Sequence, residues 1–380
     1  MKPAVDHASR IRWFVAAHVA AVLVIFQLAV SLGSGLAAEP MPPLTPPPCG
    51  PTPAHSVWRW PSLHIPTPPK TIKRIDDMNK TLMLSGLAAA SLAALSACGG
   101  GDSTEDTGPK AVRVEFAAVA GDTPITCAST LSGLGTTSAS GTLADMRFYI
   151  ANVKLVTRSG SEVPLVLSTE DNYNTTKGSD TLTLIDLEDK TGTCAGTTEM
   201  NASIKGTVPA GDYVGMKMTL GVPLALNHTD QTAATTVTPA VINNAVHPGM
   251  AWSWAGGRKF TKIEVTNASW TAPTFFTHLG STGCTGTNPA AGQVDTCARP
   301  DRPVITLASF NPDSQKVAVD VKALLAGNNV TVNGAGPGGC MSGSTDPECP
   351  AVFNALGLDL ITGTQLATTP TQTLFRAVSK

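Results

Sequence analysis

From residue 111 onward, apolar and polar residues alternate in short runs that end at Gly, Thr, Asn or Asp. This two-residue period predicts strands over 112–118, 146–156, 163–167, 181–187, 202–207, 213–220, 259–268, 304–307 and 316–320. Helical spacing is confined to 321–326 and 351–356. So many short strands predict an all-β fold, a β-sandwich or barrel-like domain with long loops and short helices. Stretches 227–250 and 275–302 carry no strand pattern. Compact domains rarely keep loops of that length without a use, so function is expected there. No internal repeat is visible.

The front of the chain follows a different pattern. From Met78 it reads MNKTLMLSGLAAASLAALSAC: a basic start, an apolar run and then LSAC. This is the form of a lipoprotein signal peptide over 78–97, with Lys80 kept on the cytoplasmic side and small residues at Ser96 and Ala97 admitting a peptidase. Cys98 is the expected lipidation site. Residues 98–110, rich in Gly, Ser and Asp, are expected to be a flexible tether. An earlier apolar run, 13–36, stands behind Arg10 and Arg12 and before a proline-rich stretch. Two export signals in series are redundant, so 1–77 is read as a mis-assigned start or an apolar leader, and 111–380 as the folded domain.

Composition narrows the partners. From Cys98 onward 18 Lys+Arg face 24 Asp+Glu, a net of −6, so no basic nucleic-acid face is indicated. Membrane attachment would come through the lipid anchor, on the periplasmic or surface-facing side of a bacterial membrane, most simply the outer one. Six cysteines remain beyond Cys98, and an even number in an oxidising compartment implies disulfides. Cys284 with Cys297 and Cys340 with Cys349 are close in sequence, which leaves Cys127 for Cys194. With no CxxC or CxxCH, neither a thioredoxin-type site nor covalent haem in this chain is expected.

Three histidines lie beyond Cys98: His228 in GVPLALNHTD, His247 in AVHPGM and His278 in FFTHLGSTGC. Between them MAWSWAGGRKF places Trp252 and Trp254 on one face if the segment is extended. With every thiol oxidised, a metal site here must use imidazole, thioether or oxygen, and imidazole suits copper or zinc. Met250 adds a thioether. The acids Asp186, Glu188 and Asp189 in LIDLEDK are read as a solvated turn, and Asp145 is expected to pair with Arg147. Ser281 follows a histidine, but there is no GxSxG elbow to make a hydrolase.

Read in order, RFYIANVKL, LTLIDLED, GDYVGMKMTLGVPLALNH, MAWSWAGGRKF, FFTHLGSTGC and GGCMSGSTDPECPAVFNALGL resemble the MbnP-like family, the metallo-mystery-pair four-Cys-motif proteins, over roughly residues 111–360. The resemblance implies a β-rich exported protein that binds copper, as Cu(I) or Cu(II), and is not an enzyme. It also implies a di-haem partner of the cytochrome c peroxidase/MauG class that oxidises a tryptophan to kynurenine. His228 and His278 are then the expected ligands, with Trp252 or Trp254 the modified residue and the role of His247 open. The segment 237–250 is longer than the family pattern, and Arg258 stands where an aromatic residue is expected. The alternative is a metal-free surface module, an adhesion or carbohydrate-binding β-sandwich.

Overall fold

The computed structural model describes residues 108–380 except 169, 232–237, 253–256, 290–292 and 368–371. Residues 1–77, the signal sequence 78–97, Cys98 and most of the tether lie outside the described residues. Among the described residues, no helix is long and apolar enough to cross a membrane.

The chain is built from strands. In order these are β1 (Lys110–Ala120), β2 (Thr123–Pro124), β3 (Leu131–Leu134), β4 (Ala139–Thr157), β5 (Glu162–Pro164), β6 (Val166–Leu167) and β7 (Asn174–Lys177). Then come β8 (Asp180–Asp186), β9 (Ser203–Val208), β10 (Tyr213–Leu220), β11 (Ala251–Trp252), β12 (Gly257–Arg258) and β13 (Thr261–Thr266). The last are β14 (Thr274–Thr277), β15 (Thr282–Thr285), β16 (Thr296–Arg299), β17 (Val304–Leu307), β18 (Gln315–Asp320) and β19 (Phe375–Ser379). The helices are short: α1 (Leu224–Asn227), α2 (Val321–Leu325), α3 (Cys349–Ala355) and a single 3₁₀ turn, Ala240–Ile242.

Two larger sheets carry the fold. One runs β19-β18-β1-β9-β6, with β2 on β1; the other runs β14-β13-β4-β10-β17, with β3, β5 and β8 on β4 and β7 on β8. Only the β1–β18 pair among these is parallel. The sheets meet through aromatic side chains: Phe116 of β1 and Phe375 of β19 each pack edge-on against Phe148 of β4, with ring centres 5.9 and 5.6 Å away. The all-β expectation holds, and so do all three disulfides: Cys127–Cys194, Cys284–Cys297 and Cys340–Cys349.

β4 is the spine. β13 pairs with its residues 142–148 and β8 with 147–151, whereas β10 pairs with 150–157 and β5 with 154–156. The change occurs at a bulge: Ala151 faces Thr219 and Lys154 faces Lys217, with Asn152 at φ 53° between them. Asn tolerates this left-handed conformation because its short amide bonds locally. Here Nδ2 donates to Asp180 Oδ1 and Oδ1 accepts from the Thr181 amide, both at 2.9 Å.

Two expectations are corrected. Stretch 275–302 is not strandless, since it holds the end of β14 and the whole β15–β16 hairpin, in which Cys284 sits directly opposite Cys297. The LIDLEDK turn is not solvated at Asp186 and Glu188, both fully buried. Glu188 turns inward because backbone amides of Lys190, Gly196 and Thr197 donate to its carboxylate.

Candidate metal centre

His228 caps the C-terminal end of α1, the single helical turn that begins behind Pro223. The ring is buried, with Nε2 3.0 Å from Asn227 Nδ2 and 3.4 Å from Cys297 Sγ. The Asn227 amide is oriented by its other end, because Oδ1 accepts from the Arg258 backbone N–H at 2.8 Å. Its Nδ2 must therefore donate to Nε2, which leaves the lone pair of His228 on that nitrogen.

His278 follows β14. Its backbone amide donates to the Cys340 carbonyl and its own carbonyl accepts from Ser342 Oγ, so the Cys340–Cys349 staple fixes the segment. Nε2 lies 2.7 Å from Glu264 Oε1 on β13, and the same oxygen is 3.0 Å from Lys262 Nζ. Burial pushes the Glu264 carboxyl up, but the His278 hydrogen bond and the Lys262 charge outweigh it and bring it down to about 2. An ionised carboxylate only accepts, so the proton of His278 sits on Nε2. Burial lowers the imidazole's own affinity for a second proton, and the Lys259 and Lys262 charges add to this against the pull of Glu264. Nδ1 thus carries a lone pair, is buried, and has no hydrogen-bond partner among the described residues.

A deeper ion network supports Glu264. Asp145 receives Arg147 through two bonds of 2.8 and 2.6 Å, as expected from sequence, and Lys262 Nζ at 2.5 Å. Arg147, Asp145 and Glu264 are all buried, so removing one partner would strand a charge.

The tryptophan hairpin lies beside both histidine segments. Trp252 on β11 pairs with Gly257 on β12. Gly257 has no side chain because a Cβ there would sit 3.2 Å from both His228 Cε1 and the Asn227 amide. On the other side, the indole of Trp252 lies against Gly280, two residues after His278, where a Cβ would collide with Cζ3. Trp252 is buried. Trp254 lies outside the described residues.

His247 is buried in a separate contact. Its Nε2 donates to the Asn172 carbonyl at 2.6 Å and its ring packs on Tyr173 with centres 5.0 Å apart. Its Nδ1, too, has no hydrogen-bond partner among the described residues. Among the described residues, no group of three His, Cys, Asp or Glu ligand atoms within 4.8 Å includes His247 or His278, whereas His228 forms one with Cys284 and Cys297.

The sequence profile of the MbnP family matches residues 109–342. The chain belongs to the MbnP family. Its fold is similar to the solved structure of MbnP from Methylosinus trichosporium, at 31% identity and a TM-score of 0.63, over 72% of this chain and 99% of that one. No curated protein sequence matches it. The MbnP match takes in His228, His278, Trp252 and five of the six disulfide cysteines, leaving Cys349 beyond its end.

Besides Asn227, two residues of this MbnP-family site escape a reading of the sequence. Glu264 alternates with Ile263 and Val265 and so looks like the wet face of a strand. Arg258 looks like part of a turn, yet it is buried. Its guanidinium donates to the carbonyls of Ile242, Asn227 and Thr229 and to Thr229 Oγ1, at 2.8 to 3.1 Å. It ties the His228 segment to the tryptophan hairpin in place of the aromatic residue expected there.

Proposed function

We propose that this chain is an exported, lipid-anchored copper-binding protein of the MbnP family, and that His228 and His278 supply its imidazole ligands. The observation that carries this reading is the state of the two rings. Each is buried and each has one nitrogen whose lone pair is set by a fixed neighbour: Nε2 of His228 by Asn227, and Nδ1 of His278 by Glu264. His228 Nε2 is met by the Asn227 amide, whereas His278 Nδ1 has no partner among the described residues, and such an unprotonated nitrogen in the interior is costly unless a cation or a donor meets it. Neutral imidazole suits copper in either oxidation state. A carboxylate behind a histidine is also the usual way in which a ligand ring is oriented and made more basic.

The hairpin between the two segments gives the tryptophan its part. Indole is a poor ligand, whereas opening of its pyrrole ring to kynurenine exposes an aniline nitrogen and carbonyl oxygens. Trp252 or Trp254 would be the residue converted, by a di-haem protein of the cytochrome c peroxidase/MauG class acting outside the cytoplasm. The chain itself would be that partner's substrate and a metal carrier, not a catalyst. Bound copper would supply redox or transport chemistry; the residues described here hold the imidazoles, exclude water and keep the protons off the ligating nitrogens. A sugar-binding surface module needs exposed tryptophan, and the burial of Trp252 speaks against it.

The test is copper stoichiometry and intact mass on the domain from residue 98, produced with and without the di-haem partner. One copper per chain is expected, lost in His228→Ala and His278→Ala. A mass change confined to one tryptophan is expected only with the partner. Copper binding untouched by both histidine variants would refute the assignment.

A further inference from the structure

The three disulfides are not equivalent. Cys127–Cys194 and Cys340–Cys349 are buried at both ends, whereas Cys284 and Cys297 are half-exposed. This third bond joins facing residues of β15 and β16, a two-stranded hairpin that belongs to neither large sheet. Its loss would leave the β4 spine and the Phe116–Phe148–Phe375 contact in place. It is also the disulfide with an imidazole on it: His228 Nε2, whose lone pair accepts from Asn227 and would turn to a metal in its place, lies 3.4 Å from Cys297 Sγ. One ligand atom from each of His228, Cys284 and Cys297 falls within 4.8 Å of the others.

We infer that Cys284, Cys297 and His228 form a redox-gated site that, once its disulfide is reduced, takes a soft monovalent metal ion of the Cu(I) type. The chemistry needs a dithiol as reductant. One thiolate of the dithiol attacks Cys284 or Cys297 and breaks the S–S bond. Its second sulfur then resolves the mixed disulfide, so that the reductant leaves oxidised by two electrons and both cysteines are left as thiols. The metal ion displaces the two thiol protons to solvent and is held by two thiolates and Nε2. Two soft sulfurs and one imidazole favour Cu(I) over the hard divalent ions. Exposure decides access: a dithiol reaches the hairpin before it reaches the two buried bonds.

This site goes beyond the copper centre proposed above and shares only His228 with it. In the oxidised protein the sulfurs are bonded to each other and offer no thiolate. Reduction would therefore change the donor set around His228 from nitrogen to mainly sulfur.

The experiment uses the domain from residue 98, treated anaerobically with dithiothreitol, desalted, and titrated with Cu(I) supplied as its acetonitrile complex against a chromophoric competitor. Iodoacetamide mapping of the reduced sample is expected to label Cys284 and Cys297 before the other four. Because the two centres share His228, reduced protein is expected to keep one copper per chain but to show sulfur neighbours, absent from the oxidised protein, by X-ray absorption. The Cys284→Ala/Cys297→Ala double variant, which lacks both the bond and the thiols, is expected to keep the oxidised protein's stoichiometry and near-ultraviolet circular dichroism. Labelling of a buried pair first, no sulfur neighbours after reduction, or the same sulfur signal in the double variant would each overturn the inference. Copper binding by the oxidised protein is read separately, so failure of the first site is not mistaken for failure of this one.

Discussion

Glu264 holds His278 by Nε2 at 2.7 Å and so turns Nδ1, not Nε2, into the nitrogen available for coordination. Loss of such a carboxylate from behind a ligand histidine lowers metal affinity by roughly 10–100-fold. Glu264→Ala is expected to lie in that range in a competitive copper titration, and Glu264→Gln, which retains a carbonyl acceptor, closer to wild type. Long-range ¹⁵N NMR of the metal-free protein should show His278 protonated at Nε2. A ring protonated at Nδ1 would contradict the assignment.

Arg258 is a structural clamp whose guanidinium grips main-chain carbonyls, with the Asp230 charge favouring it. Replacing it with Met keeps much of the bulk but leaves the carbonyls of Asn227, Thr229 and Ile242 without their donor. Each stranded buried acceptor costs ~1–3 kcal/mol. For a loss of about 3 kcal/mol the melting temperature of a domain this size falls by roughly 6–12 °C. Thermal melts of Arg258→Met and Arg258→Lys should both show it, because a lysine cannot span three carbonyls with one ammonium. An unchanged melt would mean that the clamp is idle.

Gly280 is the floor on which Trp252 rests. A methyl group at Gly280→Ala would also come 3.0 Å from the Arg258 carbonyl, so the indole must move. Overpacking of this kind costs ~1–3 kcal/mol. A displaced Trp252 is expected to red-shift the tryptophan fluorescence and to weaken copper binding. The Ala variant would spare both only if the indole did not lie on Gly280.

Asp186 sets a pH dependence whose sign can be worked out. Burial is the main cause of its raised affinity for the proton, and Arg147 offsets that only in part, leaving its carboxyl at about 8. An unfolded aspartate releases its proton near 4. Between ~4 and ~8 the folded state holds more protons than the unfolded one, so this group's contribution to stability falls as pH rises. Asp186→Asn should remove that slope. Urea unfolding of both proteins from pH 4 to 8 measures it, and parallel curves would rule it out.

The strands were easiest to read where both faces of the alternation were strong. β10 lies at the expected 213–220 and β17 at 304–307. β4 begins seven residues before its expected start, because Ala139 to Asp145 reads as turn-forming Ser, Gly and Thr and is held extended by partners that folding brings, β3, β13 and the Ala195 amide. β15 and β16 carry no alternation; the facing Cys284 and Cys297 hold that hairpin. The histidines and Trp252 could be named from their local motifs. Glu264, Arg258 and Asn227 could not, since what makes each matter is a partner brought by folding: His278 for the first, the 227–229 carbonyls for the second and His228 for the third. Periodicity reports which face is covered by the core, and a polar residue covered by another polar residue leaves no mark in it.

The Arg258 clamp also bears on protein engineering. The guanidinium grips the main chain of residues 227–229, not their side chains, so it specifies position while leaving the identities there free. In a chimera between two members of the family, a transplanted Trp252 hairpin would carry its own Arg258 and still find its carbonyls. A hairpin bearing an aromatic residue at that position would leave them bare. Exchange of the 227–229 segment and the 251–258 hairpin should therefore work in one direction and fail in the other, which makes this pair of segments a one-way module.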